Sequence, residues 1–178
     1  AFHIRDEATG ELLSPTARPL RSAGLHTARH GFGYSRLTHE AGGLALDLLQ
    51  YVPLDAPAKI SRLTLRNLSG RRRRLTVLAY AEPVMGLSRA ATAPFLTTGR
   101  DDPSGALFAR NPWNMAFPDR VMFADLGGTQ TGFTTDRTAF LGHGGDLSAP
   151  LALMTGVPLA AAEGAGHDPC MVLARSVD

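Results

Sequence analysis

Alternation with a period of two residues runs through the stretch from 42 to 86 and limits this chain more than any other feature. Leu44, Leu46 and Leu48 alternate with Ala45, Asp47 and Leu49 until Tyr51-Val52-Pro53 ends the pattern. A second segment, 60–68, places Leu63 and Leu65 on one face and Arg62, Thr64 and Arg66 on the other. A third, 75–81, sets Leu75, Val77 and Ala79 against Thr76, Leu78 and Tyr80. Side chains repeat on one face of a strand every second residue, so these segments read as strands with a buried face, not as helices. Asn67-Leu68-Ser69-Gly70 lies between the second and third and predicts an antiparallel hairpin joining them.

The rest of the chain is punctuated. Nineteen glycines and twelve prolines exceed ordinary usage of about 7% and 5%. Residues 1–40 carry Thr9-Gly10, Ser14-Pro15-Thr16 and Arg18-Pro19, so they are extended or looped, with a weakly alternating strand over 35–40. Gly31 and Gly33 flank Phe32, the mark of a bulge or a close backbone approach. A helical turn is expected over 87–93. Short strands are expected at 95–98, 106–110 and 121–126, and a short helix over 136–141 with Asp136 as N-cap. From Gly142 onward, six glycines, three prolines and little periodicity predict an irregular surface tail over 142–178. The expectation is one all-β domain over 1–178, an antiparallel sandwich incomplete at both ends, with one or two short helices. The start at Ala1, without an initiator Met or leader, reads as a cut from a longer chain.

Composition removes several function classes. No apolar run approaches the roughly 18 residues that cross a bilayer, so no direct membrane insertion is expected. The formal net charge is +2, with Lys59 the sole lysine among 18 basic residues, too small an excess for a nucleic-acid binder. One cysteine, Cys170, leaves no internal disulfide and no multi-cysteine zinc site, and it reads as a packed thiol. The six histidines show no metal-ligand spacing, and Gly31-Phe32-Gly33 is not a dinucleotide fingerprint, so neither metal nor cofactor is expected. No Gly-x-Ser-x-Gly elbow is present. Carboxylates occur at Asp6-Glu7, Asp47, Glu82, Asp101-Asp102 and Asp125, but sequence does not set the separation that glycoside chemistry needs.

Two clusters remain. The run Arg71-Arg72-Arg73-Arg74 reads either as a phosphate contact or as a solvated hairpin end that discourages edge pairing, and its place after Ser-Gly favours the second. Arg110-Asn111-Pro112-Trp113-Asn114 is a candidate carbohydrate contact. An indole face stacks on the C–H face of a pyranose while amides and a guanidinium bond its hydroxyls. The equal alternative is a Trp that plugs the loop onto the sheet.

Further blocks complete a pattern. They include Ile4-Arg5-Asp6-Glu7, Arg29 to Arg36, Lys59 to Leu63, Arg66 to Leu75 and Ala109 to Asn114. Phe123 to Gly128, Asp136-Arg137-Thr138 and Asp168-Pro169-Cys170 follow in order, with His167 where an apolar residue is expected. Together they resemble the N-terminal β-supersandwich domain of glycoside hydrolase family 94, the former glycosyltransferase family 36, in its cyclic β-1,2-glucan synthase branch. The resemblance implies a galactose-mutarotase-like supersandwich that precedes an (α/α)6 barrel in the same parent chain. That barrel carries the catalytic Asp of an inverting phosphorolysis; nothing here matches it, so no catalytic residue is carried over. It implies a parent anchored in the inner membrane with this module on the cytoplasmic side, and dimers in some members. Under this resemblance Arg110, Asn111, Trp113 and Asn114 border a β-1,2-glucan site, and His30, Arg36, Arg71 and Arg72 are inter-domain or structural candidates. The alternative is a purely structural inter-domain or dimerisation module that binds no sugar. A mutarotase-like epimerase rests on fold alone.

Overall fold

A computed structural model describes residues 1–178. In chain order the strands are β1 (Phe2–Asp6), β2 (Leu12–Leu13), β3 (His26–Gly31), β4 (Tyr34–Ala41), β5 (Leu44–Tyr51), β6 (Ile60–Asn67) and β7 (Leu75–Ala81). They continue with β8 (Thr97–Arg100), β9 (Leu107–Arg110), β10 (Val121–Ala124), β11 (Gly132–Asp136) and β12 (Pro169–Val177). The helices are short: α1 (Arg89–Thr92), α2 (Arg137–Leu141) and α3 (Leu151–Thr155). Three antiparallel sheets result, ordered β11-β12-β7-β1-β2, β3-β4-β5-β6 and β10-β9-β8.

The five-stranded sheet is the middle layer. On one of its faces Ile4, Leu13 and Leu75 meet Leu44 and Leu46 of the four-stranded sheet. Further along that face Met171 and Leu173 meet Leu107 and Ala109 of the three-stranded sheet. On the opposite face Leu78, Tyr80, Cys170 and Val172 pack on Phe140 and Leu141 of α2 and Leu153 of α3. The period-two pattern therefore places its leucines as expected: Leu44, Leu46 and Leu48 are buried and Ala45, Asp47 and Leu49 less so.

Caps and turns follow local chemistry. Asp136 accepts the Thr138 N–H at 2.8 Å and starts α2. Ser88 caps α1 by accepting the Ala91 N–H. Gly42 and Gly43 both have positive φ and close the β4–β5 hairpin in two residues, as a type I′ turn requires. Gly31 is the close approach expected: a Cβ there would fall 2.2 Å from the Tyr34 ring.

Two expectations are overturned. β6 and β7 do not form a hairpin; β6 pairs with β5, whereas β7 lies between β1 and β12. Asn67 ends β6 by accepting the Ser69 N–H at 3.0 Å and donating to the Arg71 carbonyl at 2.6 Å. The chain then crosses to the other sheet, because Arg73 turns inward instead of staying solvated. Its Nε donates to Asp6 Oδ2 at 2.8 Å and its Nη1 donates to the Gly42 carbonyl, joining the end of β1 to the β4–β5 turn.

The stretch 142–178 is not an irregular tail. It contains α3, and it ends in the nine-residue β12, an interior strand paired with β11 and β7. Residues Pro169 to Ala174 are all buried. With both faces covered, Cys170-Met171-Val172-Leu173 has no polar face to alternate with, so periodicity cannot reveal it.

The Arg73–Asp6 pair is nearly inaccessible, each side chain 2% exposed. Burial would raise the Asp6 carboxyl, but hydrogen bonds from the Ala8 N–H and Arg73 hold it below its ordinary value. Removing one partner leaves the other charge buried, so Arg73→Ala should lower unfolding free energy by about 3 kcal/mol in urea melts. Arg72→Ala, at an exposed position, should change it by less than about 0.5 kcal/mol. A depressed carboxyl adds stability above its unfolded value and loses it on acidification. The wild-type advantage over Asp6→Asn should therefore shrink below about pH 4.

Candidate functional site

The loop 111–120 leaves the end of β9 and returns in β10. Asn111 is buried; its Nδ2 donates to the Met85 carbonyl at 2.9 Å and its Oδ1 accepts the Trp113 N–H at 3.1 Å. Asn114 donates to the same carbonyl at 3.2 Å and accepts the Ala116 and Phe117 N–H groups, both at 3.1 Å. Both amides thus bind backbone and shape the loop, instead of facing outward as expected for sugar contacts.

Trp113 is left 71% exposed. Its ring centroid lies 5.9 Å from that of Phe95, with the planes tilted by 43°. The two rings border a shallow cavity of about 310 Å³ floored by Met85, Gly86, Ala91 and Thr92. Arg110, the last residue of β9, is not among the residues lining this hollow; its guanidinium lies over the Phe108 ring, 5.2 Å from the centroid. Phe95 borders the same hollow and carried no signal in the sequence, because it is brought to Trp113 only by the fold.

The other candidates lie elsewhere. His30 bonds Ser35 Oγ at 2.9 Å beside the β3–β4 turn. Arg36 makes a bidentate contact with Asp47 on the outer face of the four-stranded sheet. Arg71 lies 3.6 Å from Asp6 at the crossover, where Arg72 is exposed. None of these joins the Trp113 loop. A larger hollow of about 570 Å³ on that outer face is lined by Thr27, Thr38, Asp47, Thr64 and Arg66 and holds no Trp, Tyr or Phe.

Three polar clusters were invisible in sequence because their members are far apart. Arg89 pairs with Glu82 at 2.7 Å and with Asp168, and Arg137 pairs with the same carboxylates at 3.1 and 3.5 Å. The ring is closed and charge-balanced, and Tyr80 donates its hydroxyl to Glu82. It fastens the starts of α1, α2 and β12 to the end of β7. Cys170 is nearby and fully buried, and that burial pushes its thiol well above its ordinary value. His167 is polar because Nε2 contacts Thr135 Oγ1 at 3.1 Å and Thr98 Oγ1 at 3.3 Å.

The third cluster is a stacked pair. His26 and His39, opposite each other on β3 and β4, have ring centroids 3.6 Å apart and planes 7° from parallel. His39 contacts Ser22 Oγ at 2.8 Å, which ties the preceding loop to the sheet.

This layered fold, three antiparallel sheets with short helices packed on the middle one, is that of a β-supersandwich. The whole chain, residues 1–178, matches the family described as glycosyl hydrolase 94, supersandwich domain, and the chain belongs to that family. It is 37% identical over 178 residues to the cyclic beta-(1,2)-glucan synthase NdvB of Rhizobium meliloti (strain 1021), covering 99% of this chain and 6% of that protein. It is 30% identical over 163 residues to the solabiose phosphorylase of Paenibacillus borealis, covering 87% of this chain and 21% of that protein. The chain therefore spans only a small part of these relatives. No helix is long and apolar enough to cross a membrane.

Asn111→Ala should cost about 1–2 kcal/mol in urea unfolding, because it takes the acceptor from the Trp113 N–H and one of two amide donors from the Met85 carbonyl. Trp113→Ala should cost less than about 0.5 kcal/mol, as expected for a surface change. Equal losses for the two would mean that Trp113 is packed. Burial, and then the charge of His39, lower the proton affinity of His26, so the folded state prefers it neutral. The stability this adds is complete above the unfolded value of about 6.5 and falls as pH drops below it. His26→Phe keeps a stacking ring without the proton. It should show a smaller decrease in melting temperature from pH 7.5 to 5 than wild type; an identical decrease would refute the role of the pair.

Proposed function

We propose that this chain is a non-catalytic domain bordering the carbohydrate site of a β-1,2-glucan-processing protein, with Trp113 as the sugar-stacking side chain. One observation carries the reading. The asparagines around Trp113 are satisfied by backbone, so the loop is held in shape while the indole stays in solvent beside a hollow. An ordered, exposed aromatic gives a pyranose an apolar face to cover at little cost in loop entropy. The names of the relatives, a glucan synthase and a disaccharide phosphorylase, point to the same class of ligand. In this reading the parent chain supplies the catalytic barrel and performs inverting phosphorolysis or transfer of β-glucosides. It is anchored in a membrane with this module on the cytoplasmic side.

A second reading is favoured by Met115 and Phe117, which are exposed in the same loop. In it the loop is an inter-domain or dimer contact and binds no sugar.

Trp113 is the single tryptophan, so its fluorescence reports directly on the loop. Titration with β-1,2-linked glucose oligomers should give a saturable spectral shift. Binding followed by calorimetry should be lost in Trp113→Ala while its melting curve is unchanged. No response up to millimolar sugar would favour the contact surface.

A further inference from the structure

The hollow beside Trp113 is built from two segments of chain. One is the 111–120 loop. The other runs from 82 to 95 and supplies Met85, Gly86, Ala91, Thr92 and Phe95. Residues 82–88 lie between β7 and α1 and belong to neither a strand nor a helix. Met85 packs inward on the cluster of Leu107 and Met171, but Val84 and Leu87 turn to solvent. The four residues of α1 bury only Thr92. A helix this short has no stability of its own and must be held from outside. Arg89, its first residue, is placed to do so. Its Nε lies 2.7 Å from Glu82 and closes the bend 82–89 on itself. Its Nη2 donates to Asp168 and, at 3.4 Å, to the Pro169 carbonyl at the start of β12. The bend closed in this way carries the Met85 carbonyl that serves both Asn111 and Asn114. Arg89 thus acts on both walls of the hollow, on Phe95 through α1 and on Trp113 through the Met85 carbonyl.

We propose that Arg89 is a positioning residue for the Trp113 site, fixing the separation of Phe95 from Trp113 and so the width of the hollow. The inference rests on the Trp113 reading and extends it to a side chain that does not line the hollow. A guanidinium that reaches two carboxylates and a carbonyl fixes direction as well as distance. A binding site needs that support, because its walls must be held to about 0.5 Å. The other cation of the ring has a different duty. Arg137 belongs to α2 and donates to Glu82 at 3.1 Å and to Asp168 at 3.5 Å. Without it, both carboxylates would turn wholly to Arg89, and α1 would stay in place.

The test uses the 178-residue chain. Acrylamide quenching of Trp113 fluorescence reads the hollow without ligand, and calorimetry with the β-1,2-linked glucose disaccharide reads binding. Both are done at a temperature where melting curves show each variant folded. Arg89→Gln should raise the quenching, as Phe95 draws away from the indole, and weaken disaccharide affinity about tenfold. Arg137→Gln removes the same charge from the same ring, yet should leave affinity within about twofold of wild type and the quenching unchanged. Where Arg89→Gln does not fold, Asp168→Asn keeps the shape, removes the partner of Arg89 before β12, and should act in the same direction. Unchanged quenching, unchanged affinity, or equal effects from Arg137→Gln overturn this inference and leave the Trp113 reading standing. A wild-type chain that binds no disaccharide, or binds it equally after Trp113→Ala, overturns both.

Discussion

Asp6 ends β1 with its carboxylate turned into the protein, and an ionised carboxylate held there without a partner would cost several kcal/mol. Arg73 supplies the partner and also donates to the Gly42 carbonyl in the turn of the neighbouring sheet. One guanidinium therefore satisfies acceptors from two sheets and sets the place where the chain passes between them. With Arg73 committed inward, β7 is carried away from β6 and into the space beside β1. The other three arginines of the run stay exposed.

Once β7 is placed, β12 occupies its free side and the middle sheet is complete. Met171 and Leu173 then form the surface on which the three-stranded sheet sits through Leu107 and Ala109. This buries one face of β9 and turns the other, with Phe108 and Arg110, outward. The loop after β9 extends past the sheet, and two asparagines anchor it on the Met85 carbonyl. The exposure of Trp113 thus follows from how the last strand packs the core.

Much of the frame was legible in residues alone. Alternation located β5 and β6 because each turns one apolar face to the core, and β7 because small or polar residues interrupt its apolar ones even though both of its faces are covered; Asp136 was legible as a cap because its chemistry is local. The hairpin between β6 and β7 was misread because a Ser-Gly turn signals a change of direction without naming the next neighbour. β12 escaped notice because a strand covered on both faces has no alternation. Of the candidate site, the importance of Trp113 could be read, but the duties of Asn111 and Asn114 could not. An amide that serves a carbonyl 26 residues away looks identical in sequence to one that serves a ligand.

The sequence by itself determined where the alternating strands β5, β6 and β7 run, which of their faces are apolar, and where α2 starts. Those properties depend on neighbours within a few residues. The tertiary structure alone decided strand partners, which arginine of four is buried, and which aromatic rings remain in water. Each of these is a competition among distant groups for the same space and the same hydrogen bonds. The winner depends on total packing and desolvation, which no local pattern records.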